Sequence, residues 1–162
     1  YLRVYSISES YAIVFNMDSK ECVYCSNPEI KEREIVGSGL AWVFPTNTPI
    51  VPGHVLIAPR RCVAKYEDLT HEEKFEIEEL RIKIIDALKR TFGAEGFNYA
   101  WNENPVAGQS VPHFHLHVLP RKVEDEGITQ YEPRKFLYRP GSRESTSENE
   151  LIEVSNLIKQ NL

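Results

Sequence analysis

Three histidines occupy every second position in one short stretch of the sequence, at His113, His115 and His117, with hydrophobic residues between them. Successive side chains of a β-strand point to opposite faces, so this alternation predicts three imidazoles on one face and an apolar row on the other. Imidazole titrates closest to neutral pH, and three protonated rings about 7 Å apart would repel one another. The pattern therefore indicates one face that packs and one whose imidazoles need metal, phosphate or one another as partners.

The loop before these histidines, residues 102–110, has the composition of a phosphate-binding segment. Gly108 permits a ligand to approach the backbone closely, and Gln109 and Ser110 add polar side chains and amide donors. A loop lined with donors that leads directly into histidines suits an anion held beside a nucleophile.

Two stretches together resemble one family. The run from Gly108 to Leu119 resembles the signature of the histidine triad (HIT) family of nucleotide hydrolases and transferases, in which histidine alternates with hydrophobic residues. The run from Pro49 to Arg61 is similar to the other landmark of that family, a proline-rich turn, a Gly-His pair and an apolar strand ending in proline and basic residues.

The resemblance covers about residues 20–123 of a chain that we predict to be a single domain, 1–162, with residues 124–162 as a C-terminal extension. Residues 105–110 are most similar to the diadenosine polyphosphate hydrolase branch of the family. The spacing Cys22-x-x-Cys25 is instead typical of zinc-carrying microbial members, so the branch stays open.

The resemblance implies that His115, the central histidine, attacks the α-phosphorus of a nucleotide and forms a nucleotidyl-imidazole that water then hydrolyses. A histidine nucleophile divides one difficult displacement into two easier ones, and its unprotonated nitrogen is available near neutral pH. In the family a main-chain carbonyl of the same strand accepts a hydrogen bond from the other ring nitrogen, which fixes the tautomer.

The remaining histidines have supporting roles in this interpretation. His117 would contact phosphate oxygens and protonate the leaving group, and it favours hydrolysis because family transferases tend to carry glutamine there. His113, the third predicted catalytic residue, would support the triad or bind zinc, since a metal-bound imidazole is not a free base. His54 of the Gly-His landmark would lie next to the triad and support it.

The resemblance also implies the residues that bind substrate. They are Asn102, Gly108, Gln109, Ser110, Thr46 and Asn47. The ribose-binding Asp or Asn of the family falls three residues before Pro49, where this chain has Thr46. Thr46 could bind ribose through one hydroxyl, or a shift of one residue could bring Asn47 into use.

Cys22 and Cys25 have zinc-knuckle spacing, but without a second Cys-x-x-Cys the pair alone is a weak metal signal. In zinc-carrying relatives the other ligands are a histidine after the basic residues of the second landmark and the first triad histidine. Those positions are Cys62 and His113 here, and thiolate is also a good zinc ligand. The resemblance thus implies one structural zinc on these four residues; the alternative is that Cys62 is a small buried hydrophobe.

Three other functions fit parts of the sequence. A zinc hydrolase could use His113, His115 and His117 as ligands around an activated water, although the loop and the Pro-Gly-His landmark would then have no explanation. A nucleotidyltransferase would share the intermediate, and a non-catalytic nucleotide-binding module would share every binding feature.

Residues 131–143 lie where family members differ and could decide specificity.

Size and charge restrict the partners. The chain has 162 residues, of which 41% are hydrophobic and 27% charged, ordinary values for one globular domain. A net charge of −5 disfavours long nucleic acids, which need an extended basic surface, and leaves a small nucleotide as the expected partner. An odd number of cysteines fits a reducing compartment, and no apolar run approaches a membrane span. We expect a cytoplasmic protein with no membrane contact.

Local patterns predict the elements that position these residues. Strand-forming stretches are residues 11–15, 39–44, 55–58, 97–101 and the histidine stretch 113–119. Capping boxes at Thr70 and Ser147 start a long amphipathic helix, which ends at Gly93, and a C-terminal helix. This order predicts an α+β fold, an antiparallel sheet with one long helix and a C-terminal helix. The resembled fold is such a sheet and usually pairs into a homodimer.

Overall fold

A computed structural model of the protein describes residues 22–123, residue 125 and residues 145–162. Two predictions, the strand at residues 11–15 and the specificity segment at residues 131–143, lie outside these residues.

The described part of the chain contains one antiparallel sheet of five strands. They are β1 (Val36–Gly37), β2 (Ala41–Pro45), β3 (Val55–Pro59), β4 (Gly96–Ala100) and β5 (Leu116–Arg121). Their order across the sheet is β1-β2-β3-β5-β4, so β5, which carries the last triad histidine, lies between two partners. The strands predicted at residues 39–44, 55–58 and 97–101 are confirmed, each with shifts of no more than two residues at either end.

Four α-helices accompany the sheet in the described residues. They are α1 (Val23–Ser26), α2 (Pro28–Glu32), α3 (His71–Phe92) and α4 (Glu148–Lys159). The capping box of α3 is confirmed, because the Thr70 hydroxyl accepts from the Glu73 amide while the Glu73 carboxylate accepts from the Thr70 amide. Gly93 ends α3 at φ 68°, a left-handed conformation that glycine adopts without strain. Ser147 caps α4, as predicted, whereas α1 and α2 are too short to give a periodic signal.

Alternation along the strands divides the core into two apolar clusters. The larger cluster joins the sheet to α3 and includes Val43, Ile57, Val118, Ile84 and Leu88. The smaller cluster lies on the opposite face and consists of Ile30, Trp42, Phe44, Leu56 and Ala58, with Tyr24 packed against it. One face of the sheet is thus a conventional core, and the other supports α1, α2 and the candidate site.

The histidine strand is shorter than predicted. It begins at Leu116, because the amide of His113 donates to the Val111 carbonyl and the amide of Phe114 donates to the Val63 carbonyl, outside the ladder. The predicted alternation still holds for packing, since Phe114, Leu116 and Val118 all enter the larger cluster. Only His117 sits within β5, whereas His113 and His115 precede the strand.

None of the helices in the described residues combines the length and the apolar character that a bilayer crossing requires.

Candidate active site and metal cluster

An open cavity of about 270 Å³ lies against His115 and His117 on the face of the smaller cluster. Its walls come from α1, α2, the connection between β2 and β3, the loop after β4, and Ser145 just before α4. Of the predicted substrate-binding residues, the ones that line it are Thr46, Asn47, Asn102, Gly108 and Ser110. Side chains that are far apart in sequence therefore share one open space.

Gln109 is the predicted binding residue that does not line this cavity. Its side-chain amide donates to the Ala64 carbonyl at 2.8 Å, and its side-chain carbonyl accepts from the Asn104 amide at 2.8 Å. Gly108 has φ 93°, which an L-residue rarely adopts, so the loop needs glycine there. Gln109 thus fixes the shape of the loop, and Gly108 and Ser110 face the open space.

His115 is buried in a single tautomer. Its Nδ1 lies 2.7 Å from the main-chain carbonyl of His113, and a carbonyl can only accept, so Nδ1 carries the proton. The other nitrogen, Nε2, then keeps its lone pair. Burial lowers the pKa of His115 to about 4, against the opposing hydrogen bond to the carbonyl, so the ring is neutral at pH 7.

His117 is held in the opposite tautomer by His54. The Ile50 amide donates to His54 Nδ1 at 3.2 Å, so the proton of neutral His54 is on Nε2. That Nε2 lies 2.9 Å from His117 Nδ1 and donates to it, which places the proton of neutral His117 on its own Nε2. The rings of His115 and His117 are 4.9 Å apart, one with a basic nitrogen and one with a donor. Such a pair can combine a nucleophile with a proton donor.

The four predicted metal ligands come together. One ligand atom from each of Cys22, Cys25, Cys62 and His113 lies within 4.8 Å of every other, and His113 Nδ1 is 3.3 Å from Cys22 Sγ and 3.5 Å from Cys25 Sγ. The opposite nitrogen of His113 lies 2.8 Å from the Pro59 carbonyl and donates to it, so Nδ1 presents a lone pair to the thiols. This donor set and tautomer are suited to a tetrahedral metal ion.

The thiols of the cluster differ in their protonation. Burial opposes ionisation of Cys22, but the adjacent His113 outweighs burial and lowers the pKa of Cys22 to about 6. Burial, followed by the proximity of Cys22, raises the pKa of Cys25 to about 12 and also raises that of Cys62. One thiolate beside two thiols is the response expected of a compact cluster in which charges of one sign repel.

The three triad histidines do not converge on one point. His113 directs one nitrogen to the cysteines and the other to Pro59, while His115 directs a nitrogen to the His113 carbonyl. Within the described residues, the Cys3His cluster is the group whose ligand atoms could hold a metal, and His115 and His117 are not part of it. The alternative in which all three histidines bind one zinc therefore finds no support in the geometry.

Sequence reasoning missed two contributors to the site. Tyr24, between two of the cysteines, lines the cavity, and its ring centroid lies 5.4 Å from that of His115 and 5.6 Å from that of His113. Arg33, within a run of charged residues, is only 2% exposed and donates to the Asn47 side chain. The position of Tyr24 in the Cys-x-x-Cys motif was a usable signal, whereas nothing in the sequence marks Arg33 as buried.

Comparison with known proteins gives a consistent result. The family model described as HIT domain matches residues 27–124. A bifunctional bis(5'-adenosyl)-triphosphatase/adenylylsulfatase FHIT from Arabidopsis thaliana is 35% identical over 111 residues, which cover 67% of this chain and 62% of the relative. A bis(5'-adenosyl)-triphosphatase from Dictyostelium discoideum is 34% identical over 97 residues, 59% of this chain and 65% of the relative. The chain thus spans somewhat less than two thirds of the length of these relatives.

Solved structures agree with the fold. The diadenosine triphosphate hydrolase of Plasmodium falciparum, in complex with Cyclomarin A, superposes with a TM-score of 0.65 at 27% identity, covering 80% of this chain and 76% of that one. A Zn-bound histidine triad family protein from Mycobacterium smegmatis gives 0.67 at 23% identity, covering 89% and 94%. At that identity the second likeness speaks for the fold alone.

Proposed function

The chain belongs to the HIT domain family, and on that premise we propose that it hydrolyses nucleotides at the α-phosphate through a nucleotide covalently attached to His115. The observation that carries the proposal is the tautomer of His115. Its Nδ1 proton is held by the His113 carbonyl, so the unprotonated Nε2 is the atom available for attack.

In the first step, Nε2 of His115 forms a bond to the α-phosphorus while the bond from phosphorus to the leaving oxygen breaks. His117 Nε2–H, whose proton is fixed in place by His54, donates to the departing oxygen. In the second step water attacks the same phosphorus and gives up a proton to Nε2 of His117, which restores that donor, while the N–P bond breaks and a nucleoside monophosphate leaves. Ser110 and Asn102, which line the cavity, would bind the phosphate oxygens during both steps.

The proposed substrate class is a bis-nucleoside polyphosphate or a related phosphoanhydride, phosphoramidate or phosphoester of a nucleotide. The names of the relatives, bis(5'-adenosyl)-triphosphatases, support this class. An apolar wall formed by Ile30, Phe44 and Leu56 gives a base a place to pack beside the polar loop. For diadenosine triphosphate the two steps give ADP first and AMP second.

We also propose one structural zinc at Cys22, Cys25, Cys62 and His113. The residues fit the ion, since three sulfurs and one imidazole lone pair lie within 4.8 Å of one another. A bound zinc would link these four residues structurally and would take no part in the hydrolysis. The ion would anchor α1, which places Tyr24 against the cavity. It would also fix His113, whose carbonyl accepts a hydrogen bond from His115.

A homodimer is the proposed assembly. Exposed apolar side chains on α3, within β4 and directly after it support it, namely Phe75, Ile82, Tyr99 and Trp101. β4 is an edge strand of the sheet, and natural proteins cover such edges or pair them. Light scattering should give twice the 18.7 kDa chain mass, and Tyr99→Glu should shift it towards one chain. A single-chain mass throughout the micromolar range would contradict the dimer.

Cytoplasmic residence stays a prediction from the sequence.

Substrate hydrolysis tests the proposed reaction against its alternatives. Purified protein is incubated with diadenosine triphosphate, adenosine phosphoramidate or a nucleoside monophosphate ester, each with and without a chelator. We expect AMP release and an adenylyl adduct on His115 that survives an alkaline denaturing quench, because the N–P bond is stable to base and labile to acid. Binding without turnover would indicate a non-catalytic module, and transfer of the nucleotidyl group to an added phosphate acceptor in preference to water would indicate a transferase. Immediate loss of turnover by folded protein on metal removal would favour a zinc hydrolase.

A further inference from the structure

Two of the proposed zinc ligands, Cys22 and Cys25, are placed so that they can bond to each other. The Cys25 amide donates to the Cys22 carbonyl at 3.0 Å, and one such helical turn separates the two Cα atoms by about 5 Å. Their sulfurs lie 3.5 and 3.3 Å from the same nitrogen, His113 Nδ1. Because a disulfide spans Cα separations of about 4.4 to 6.8 Å, this pair can be oxidised with little movement of the backbone.

The three cysteines of the cluster differ in their access to solvent. Cys22 is fully buried at 0% exposure, whereas Cys25 and Cys62 are partly exposed. In a zinc-bound cluster each cysteine is a thiolate, which is also the reactive form of the side chain. Exposure then decides which sulfur a small oxidant meets first. Cys25 is exposed and has a second sulfur one helical turn away, so it can react and be joined at once to Cys22.

The residues between the two cysteines form part of the proposed nucleotide cavity. Val23 and Tyr24 line it, and the ring centroid of Tyr24 lies 5.4 Å from that of His115. Metal coordination would hold this turn against His113 through both sulfurs. A disulfide joins the sulfurs to each other instead, so the turn loses both links to His113. The oxidation state of the cysteines is therefore connected to one wall of the cavity.

We propose that Cys22 and Cys25 are a reversible oxidation site, at which a peroxide forms a disulfide, the proposed zinc is released, and nucleotide binding weakens because α1 is no longer anchored. The inference goes beyond the proposed hydrolysis and rests on the proposed zinc site. The disulfide, the zinc and the bound nucleotide are each measurable without turnover.

The reaction balances with hydrogen peroxide as the co-reactant. The Cys25 thiolate attacks one peroxide oxygen, the O–O bond breaks, and hydroxide departs, which leaves a sulfenic acid on Cys25. The Cys22 thiolate then attacks the Cys25 sulfur, the S–S bond forms, and a second hydroxide departs. Two sulfurs are oxidised and one peroxide is reduced. Cys62 and His113 remain, which is half of the ligand set that a closed zinc site uses.

The test treats the full chain, as purified, with hydrogen peroxide. Peptide mapping identifies the disulfide, a chromogenic chelator measures released zinc, and calorimetry measures the affinity for AMP. We expect a disulfide between Cys22 and Cys25, zinc released in proportion to it, and an affinity for AMP lowered about tenfold. Dithiothreitol followed by added zinc should restore the starting state.

Two variants assign the bond to its sulfurs. Cys62→His keeps four zinc ligands and both reacting cysteines, so peroxide should still form the disulfide and release zinc from it. Cys25→Ser removes the sulfur that reacts first, so the same dose of peroxide should form no disulfide and leave its affinity for AMP unchanged. If Cys25→Ser does not fold, Cys62→His and the mapping of wild type still decide the assignment.

The outcomes separate the oxidation site from the proposed zinc site and the proposed hydrolysis. Cysteines that stay reduced in peroxide, or a disulfide that includes Cys62, would overturn the oxidation site. A disulfide formed with zinc retained would overturn the release, and one formed with unchanged AMP affinity would overturn the link to the cavity. Wild type purified without zinc would overturn the zinc site and its release, while mapping still decides the disulfide. Failure to cleave diadenosine triphosphate would overturn the hydrolysis alone.

Discussion

The cysteine cluster and the open cavity meet at residues 113–117, and they differ in how enclosed they are and in the partners of their histidines. At His113 the ring is enclosed with three cysteines, and at His115 and His117 the rings line an open cavity. The same side chain has three roles because each ring nitrogen has a different partner: a thiol cluster, a main-chain carbonyl or another histidine. Hydrogen-bond partners, more than residue type, therefore determine what a histidine can do.

The two regions are also connected, which makes their difference testable. The His113 carbonyl accepts from His115, and Tyr24 has its ring against both histidines. Changes on the cavity side should therefore alter chemistry with little change in stability at pH 7, whereas changes on the cluster side should alter stability first.

The largest effect is expected at His115. His115→Gly should lower turnover at least about a thousandfold, because it removes the attacking nitrogen, while leaving the melting temperature and AMP affinity close to wild type. Hydrolysis assays and trapping of the adenylyl adduct with an alkaline denaturing quench check it. Undiminished turnover in this variant would end the assignment of His115 as nucleophile.

His117 should show a smaller effect that depends on the leaving group. His117→Ala should slow release of poor leaving groups about a hundredfold, in the range typical of a lost general acid, and affect activated esters much less. Rates measured for a series of adenylate esters with leaving groups of increasing acidity provide the test. Equal losses across the series would argue against proton donation by His117.

Metal removal should act on the cysteine cluster and leave the cavity largely unaffected. Chelation, or Cys62→Ser, should lower the melting temperature by about 10 °C because a closed four-ligand link is lost. Cys62→His is the matched control, since imidazole also binds zinc and should retain both metal and stability. Elemental analysis gives the zinc content of each variant, and absence of zinc from wild type would contradict the cluster's proposed role.

The effect that is smallest at pH 7, and that grows only in acid, is a pH dependence of stability on the cavity side. Burial lowers the pKa of His115 from 6.5 to about 4, so the unfolded chain takes up a proton in this window that the folded chain does not. The free energy of unfolding should therefore fall as the pH drops from about 6.5 towards 4, by up to roughly 3 kcal/mol. Urea unfolding of wild type and His115→Gln should differ in this slope, and parallel slopes would refute the effect.

Much of the fold could be predicted because local signals agreed with the tertiary structure. The capping box at Thr70 begins α3, the Ser147 side chain caps α4, and the apolar alternation at Leu116 and Val118 does enter the core. The start of the histidine strand could not be predicted, because the Phe114 amide bonds to Val63, a residue distant in sequence.

For the site, the order of residues along the chain establishes which groups are present and how they are spaced: the alternating histidines, the Gly108 loop and the cysteines at 22, 25 and 62. Three features depend on the folded structure: the nitrogen that holds the proton in each histidine, the hydrogen bonds by which Gln109 fixes its loop, and the burial of Arg33 against Asn47. Tautomers and burial depend on partners supplied by other elements, such as Pro59, Ala64 and Glu148. Residue spacing fixes what can react, but long-range contacts fix its orientation and protonation.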